Sequence, residues 1–468
     1  MKRWRGMLVG LSALVIAGVC TVLLTERYGG AALDADKAPL DATAAQIERG
    51  EYLARIGNCA GCHTARGGET YAGGRAVDTP FGAIYASNLT PDEATGIGAW
   101  SAGAFYRALH EGRSRDGRLL YPAFPYPNTT FTTREDSDAI YAYLMNRVKP
   151  VSRDNTPTTM SFPFNTQIAL AAWRRLYFKP ATQQSDATQS AAWNRGAYPV
   201  QGLAHCGACH STRNALGAPL AGHAYDGAMM PRNDWYAPSL TARDEASVTD
   251  WPLEEIAQWL QQGRSAHGSA LGPMAEVVFQ STQYLNDDDA RAMATYLKAL
   301  PVTRGATFQP SAPAVSSARP VAAGLGAERY GELCADCHGK QGEGKAGAYP
   351  ALLGNRTVLM GNPANLFRVV LAGGFAPATA GNPQPWGMPP FYHRLGDDEL
   401  VAVLNHVRSA WGNAAPALTT LDLIRHGGIE PTAYRAARPG HVRMRPCARR
   451  ALDSEGLPSR RGASHQHP

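Results

Sequence analysis

Apolar positions along this chain fall into a pattern that recurs three times. After an opening apolar run, Met7 to Leu24, the sequence settles into short amphipathic stretches of helical period. Each series opens on a helix: Ile47-Glu48-Arg49-Gly50-Glu51-Tyr52-Leu53, then Trp193-Asn194-Arg195-Gly196-Ala197-Tyr198, then Ala327-Glu328-Arg329-Tyr330-Gly331. A central helix follows and is closed by glycine. It carries Phe105 and Leu109 before Gly112, Ile256 and Leu260 before Gly263, and Leu366 and Val370 before Gly373. Each series ends on a helix with carboxylates in its first turn, where they complement the helix dipole. Asp136 and Asp138 precede Ile140, Tyr143 and Leu144; Asp287, Asp288 and Asp289 precede Met293, Tyr296 and Leu297; Asp397, Asp398 and Glu399 precede Val403, Leu404 and Val407.

Between the first and central helices the spacing predicts a loop: Tyr85 to Thr90, Tyr236 to Thr241, and the looser Tyr349 to Leu353. The expected organisation is an export or anchor segment over 1–30, repeats at 44–150, 191–300 and 326–413, and a connector at 151–190. An Ala/Pro-rich linker covers 301–325 and a basic low-complexity tail 414–468. In the connector, Ile168 to Phe178 holds Trp173, Arg174, Arg175 and Tyr177. This stretch reads as a helix packed between repeats 1 and 2, or as an interfacial or partner-docking helix.

Charge changes the picture only at the ends. The net charge is +6. From Arg425 onward nine Arg face only Glu430, Asp453 and Glu455, so the surplus belongs to the tail and gives no nucleic-acid surface on the repeats. That Arg-, Pro- and Gly-rich tail reads as a solvated extension, with anionic lipid as the alternative ligand. Lys2, Arg3 and Arg5 ahead of the apolar run direct export. The run is long enough for an uncleaved anchor, and Gly30-Ala31-Ala32 also offers a cleavage site. Either outcome places the repeats outside the cytoplasm.

The chemistry lies in one pattern that accompanies every repeat: Cys59-Ala60-Gly61-Cys62-His63, Cys206-Gly207-Ala208-Cys209-His210 and Cys334-Ala335-Asp336-Cys337-His338. C-x-x-C-H is the attachment signature of c-type haem, and with 8 Cys and 13 His chance would give about 0.004 copies. The two thiols bond the porphyrin vinyl groups and the histidine lies under the iron. A thioredoxin-like pair needs no following His, and a zinc site needs a second ligand pair. Cys59, Cys62, Cys206, Cys209, Cys334 and Cys337 thus attach three haem c groups, with His63, His210 and His338 as proximal ligands. Helix order and motif together predict an all-α chain of three tandem cytochrome c domains.

A methionine on the far side of the iron raises the potential. Repeat alignment assigns Met274, in Gly272-Pro273-Met274, and Met388, in Gly387-Met388-Pro389-Pro390. Repeat 1 carries Phe124 at the matching position, which cannot bind iron. Its remaining options are Met145 or an open site, ahead of His110, whose counterpart in repeat 2 is Gln261.

With these features the chain resembles the three-haem cytochrome c subunits of bacterial membrane-bound dehydrogenases of the alcohol and gluconate type. Thr79-Pro80-Phe81-Gly82, Asn88-Leu89-Thr90-Pro91, Gly96-Ile97-Gly98 and Gly272-Pro273-Met274-Ala275-Glu276 carry the resemblance beside the motifs. Phe124 in Ala123-Phe124-Pro125-Tyr126, with Phe162-Pro163-Phe164-Asn165, is similar to a branch that serves molybdenum hydroxylases acting on aldehydes or N-heterocycles. The resemblance implies an electron-transfer subunit on the periplasmic face of the inner membrane, and nothing in the sequence suggests paired acid and base groups for substrate chemistry of its own. Its partner would carry pyrroloquinoline quinone, flavin or molybdopterin, and its electrons would go to ubiquinone or onward to an oxidase. The family pattern has methionine at position 124, so three identical haem sites do not carry over. The competing readings are a free-standing electron shuttle and a peroxidase-like enzyme at the first haem.

Overall fold

The computed structural model describes residues 17–26, 41–231, 234–303 and 323–427. Most of the 1–30 segment, most of the linker and the tail from 428 lie outside these residues. Among the described residues no helix is long and apolar enough to cross a membrane.

Three pairs of crossed helices form the frame. The leading helices are Ala44–Ile56, Ala191–Gln201 and Ala323–Leu333, and the terminal helices are Arg134–Arg147, Asp287–Lys298 and Asp397–Ser409. Side-chain caps start most of them, as the polar residues before each apolar run require. Thr43 accepts from Gln46 N, Ser190 from Trp193 N, Thr133 from Asp136 N and Asn286 from Asp289 N. In the third terminal helix Glu399 instead accepts from Gly396 N at 3.0 Å.

Each crossing is closed by one glycine. A Cβ at Gly50 would lie 1.8 Å from Ala139 O, at Gly196 1.9 Å from Ala292 O, and at Gly326 2.3 Å from Ala402 O. No side chain fits there, so the backbones touch and the apolar faces on either side close over a common core. Beside each crossing an arginine of the leading helix bonds the third residue of the terminal helix. Arg49 Nε lies 2.8 Å from Asp136, Arg195 Nε 2.7 Å from Asp289 and Arg329 Nε 2.8 Å from Glu399. The central helices, Ala102–Glu111, Leu253–Gln262 and Ala364–Ala372, end at Gly112, Gly263 and Gly373, with φ of +61°, +69° and +68°. Among the described residues, four two-stranded ribbons are added to the expected all-α plan.

Repeats 1 and 2 exchange parts reciprocally. Tyr52 donates to Asp289 at 2.5 Å and Tyr198 to Asp136 at 2.7 Å. Ile56 is buried in the core of repeat 2, and Leu203 in that of repeat 1. Repeat 3 meets repeat 2 through Asn365, whose side-chain amide accepts from Tyr236 N at 2.9 Å and donates to Tyr236 O at 2.8 Å, and through Arg368 to Asp234 at 2.8 Å.

Two expectations need correction. The third leading helix begins at Ala323, inside the stretch assigned to the linker. The third repeat does not stop at 413. Leu418 and Leu423 are buried in its core, the helix Thr420–His426 is capped by Thr419, and the buried Arg408 donates to Pro416 O at 3.1 Å. Two well-spaced leucines suffice to dock a short helix that composition alone assigned to the tail. The connector helix Gln167–Tyr177 packs mainly on repeat 1 through Leu170, Ala171 and Arg174, and reaches repeat 2 through Trp173 Nε1 to Leu216 O at 3.0 Å.

Candidate haem-attachment sites

Each motif forms one helical turn following its leading helix: Cys59–His63, Gly207–His210 and Ala335–His338. A left-handed residue, Asn58 at φ 51° and His205 at φ 40°, immediately precedes the first cysteine in the first two repeats. In a helical turn positions i and i+3 share a face, so both thiols of each motif point the same way. No disulfide joins any of the seven described cysteines. Burial pushes the Cys59 and Cys206 thiols up to about 12 and the Cys334 thiol up to about 11.

The histidines show the same geometry three times. Nδ1 of His63 donates to Ser87 O at 2.6 Å, Nδ1 of His210 to Pro238 O at 2.7 Å, and Nδ1 of His338 to Pro350 O at 3.0 Å. A carbonyl only accepts, so the proton sits on Nδ1 and Nε2 keeps its lone pair for a metal. Burial lowers the pKa of all three, favouring the neutral, ligating imidazole. The carbonyls come from the loops the sequence placed after each motif. This donor set, a fixed Nε2 one residue beyond two co-facial thiols, fits haem c.

Three glycines that sequence reasoning misses hold those loops. Gly73 N donates to His63 O at 2.7 Å, and Gly227 N to His210 O and Gly344 N to His338 O, both at 2.8 Å. Their φ angles are +73°, +82° and +69°. A Cβ would strike the backbone carrying the histidine's acceptor: 2.6 Å from Ser87 C, 2.8 Å from Ser239 N and 2.7 Å from Pro350 C. Each glycine thus lets one loop grip both ends of the histidine. They fall at different distances beyond the histidine in the three repeats, so no fixed motif marks them.

Motifs 1 and 2 lie close to one another. Cys62 is pushed up by burial and, among further causes, by the nearby Cys209. Arg75 donates to Gly61 O at 2.7 Å and to Glu276 of repeat 2 at 2.8 Å, while Arg213 donates to Ala208 O at 2.6 Å. Both backbones are therefore braced by arginine at the residue before the second cysteine.

Met274 is half-buried, two residues before Glu276, in the helix Gly272–Gln280. Met388 ends a ribbon paired with Gly374 and packs against the same core as Cys334. Phe124 and Met145 both pack against the core that Cys59 joins. His110 bonds Thr130 O through Nδ1 at 2.8 Å, as Gln261 bonds Leu285 O at 3.0 Å. It therefore does the work of its counterpart in tying the central helix to the following segment.

The cytochrome c family profile matches residues 47–147 and 323–411. The chain is 37% identical to the cytochrome c subunit of a quinone alcohol dehydrogenase from Gluconacetobacter polyoxogenes, over 81% of this chain and 83% of that protein. It is 35% identical to the fructose dehydrogenase cytochrome subunit of Gluconobacter japonicus, over 91% and 92%. It is 40% identical to one of the nicotinate dehydrogenase subunits of Pseudomonas putida, over 89% of this chain and 34% of that larger protein. With fold, motif geometry and full-length similarity in agreement, the chain belongs to the family of cytochrome c subunits of dehydrogenases.

Proposed function

We propose that the chain carries three covalently bound haem c groups and serves as the electron-transfer subunit of a membrane-bound periplasmic dehydrogenase. The observation that carries this is the threefold histidine geometry: in every repeat a backbone carbonyl fixes Nδ1 and leaves Nε2 for iron. The middle repeat has the same crossing glycine, the same arginine–carboxylate pair and the same histidine clamp as its neighbours, which supports a third cytochrome c domain at 191–300. Bound haem supplies one-electron redox chemistry. The protein would hold each group by two cysteines and one histidine, and Met274 and Met388 would supply the further ligand in repeats 2 and 3. In repeat 1 Phe124 leaves Met145 or an open position.

The substrate is bound by another chain, carrying pyrroloquinoline quinone, flavin or molybdopterin, and ubiquinone or an oxidase accepts the electrons. Pull-down from solubilised membranes, with identification of the co-purifying chain and its cofactor, tests this. A larger catalytic chain that reduces the haems on addition of its substrate is the expected result. A chain that carries all its haems but emerges alone would refute the subunit reading in favour of a free-standing shuttle.

A further inference from the structure

The helical segment at residues 17–26 is bound to the body of the protein. Leu23 packs with Tyr121 against a small core of Leu119, Leu170 and Ala171. Three residues on, Glu26 meets two buried cations: Arg113 and Arg174 are only 7% and 4% exposed. Glu26 Oε1 accepts from Arg174 Nε at 2.9 Å and from Arg113 Nη2 at 3.2 Å, and its backbone carbonyl accepts from Arg113 as well. Burial and the neighbouring Arg174 lower the Arg113 pKa, and Glu26 opposes both. Buried charges are tolerated only when paired, so this carboxylate is part of the folded body.

We propose that the N-terminal segment is retained in the mature chain as its membrane tether, and that Glu26, held between Arg113 and Arg174, fixes the tether to the body. Cleavage beyond Glu26 would leave two adjacent buried guanidinium groups without their carboxylate and would uncover Leu119 and Leu170. The sequence before Glu26 has the composition a tether needs, with no charge from Met7 to Leu24, a run that suffices to span a bilayer. Val19, Val22 and Leu24 are 52%, 42% and 48% exposed, so they suit lipid rather than the protein core. The connector helix beneath Leu23 turns Ile168 and Leu176 outward, 46% and 69% exposed, with the exposed Arg175 beside them. An apolar face with a cationic neighbour, continuous with the tether's docking site, fits an anionic phospholipid surface. The inference deepens the membrane-bound reading above and rests on it, but it holds for any partner dehydrogenase.

Intact-mass analysis and N-terminal sequencing of the haem-loaded chain purified from membranes read the tether directly. The expected mass includes residues upstream of Glu26; a mature N-terminus beyond Glu26 overturns the proposal. Glu26→Gln in the full chain, reconstituted in phosphatidylethanolamine/phosphatidylglycerol nanodiscs, reads the pin. Its thermal midpoint is expected to fall by about 3 °C or more, with partial recovery in Glu26→Asp, and an unchanged midpoint in Glu26→Gln overturns the pin. Haem reduction through the co-purified partner is followed in the same samples. Its failure in the wild-type chain would strike the electron-transfer reading and leave the mass result standing.

Discussion

Gly196→Ala tests the central packing claim. The added Cβ would sit 1.9 Å from Ala292 O and 2.4 Å from its carbonyl carbon, where ordinary contacts begin near 3.4 Å. The obstacle is backbone of the terminal helix, so no rotamer change relieves it; the two helices must part by about 1.5 Å, which loosens the core on both sides. Overpacking of this kind costs about 1–3 kcal/mol, with the upper end applying to a rigid obstacle. Alanine returns about 1 kcal/mol of helix propensity. The net loss is about 2 kcal/mol, or a fall in midpoint of roughly 8 °C or more if the repeat unfolds as a unit of about 100 residues. Gly331→Ala is the matched control, because that helical glycine has nothing within 4 Å of its ideal Cβ. It is expected to be neutral or to stabilise by up to about 1 kcal/mol. Thermal unfolding of the haem-loaded chains, followed by circular dichroism alongside haem content, compares the two. If Gly196→Ala is as stable as Gly331→Ala, the helices do not cross at that point and the argument fails for Gly50 and Gly326 too.

Ending the chain after residue 413 removes the buried Leu418 and Leu423 and is expected to destabilise repeat 3 by about 3–5 kcal/mol, whereas ending it after 427 leaves its unfolding midpoint unchanged. Tyr52→Phe removes a hydrogen bond to a carboxylate across repeats 1 and 2 and is expected to cost about 1–2 kcal/mol in chemical denaturation, as is Tyr198→Phe. Burial raises the Asp289 pKa, but the bonds from Tyr52 and Arg195 outweigh it, so the folded value lies below the ordinary carboxylate. The stabilisation is therefore complete above the unfolded pKa and lost as pH falls through the folded one. Tyr52→Phe is expected to move the acid-unfolding midpoint to higher pH, and an unmoved midpoint would exclude this pair as a source of stability. Met388→His is expected to lower one haem potential in a redox titration and leave the others in place; an unaltered set of potentials removes Met388 from the iron.

The haem attachment proposed above is legible in the sequence because it rests on local chemistry. Two thiols and a histidine within five residues need only one helical turn to act together, and Cys59 to His63, Cys206 to His210 and Cys334 to His338 declare it without reference to the rest of the chain. Helix types were legible for the same reason, since periodicity, caps and closing glycines act over a few residues. Partners distant in the chain were not. Gly73, Gly227 and Gly344 stand at unequal distances from the histidines they clamp, and nothing local links Tyr52 to Asp289 or Glu26 to Arg113 and Arg174. The segment around Leu418 and Leu423 reads as tail because its composition is poor, yet two side chains placed over an apolar surface are enough to order it. The sequence by itself determined where the three Cys-x-x-Cys-His motifs and their helices fall, which depends on neighbours in the chain. Only the tertiary structure decided how the histidines are oriented, how the repeats join and where the N-terminal segment docks, because each depends on surfaces that exist only once distant stretches have packed.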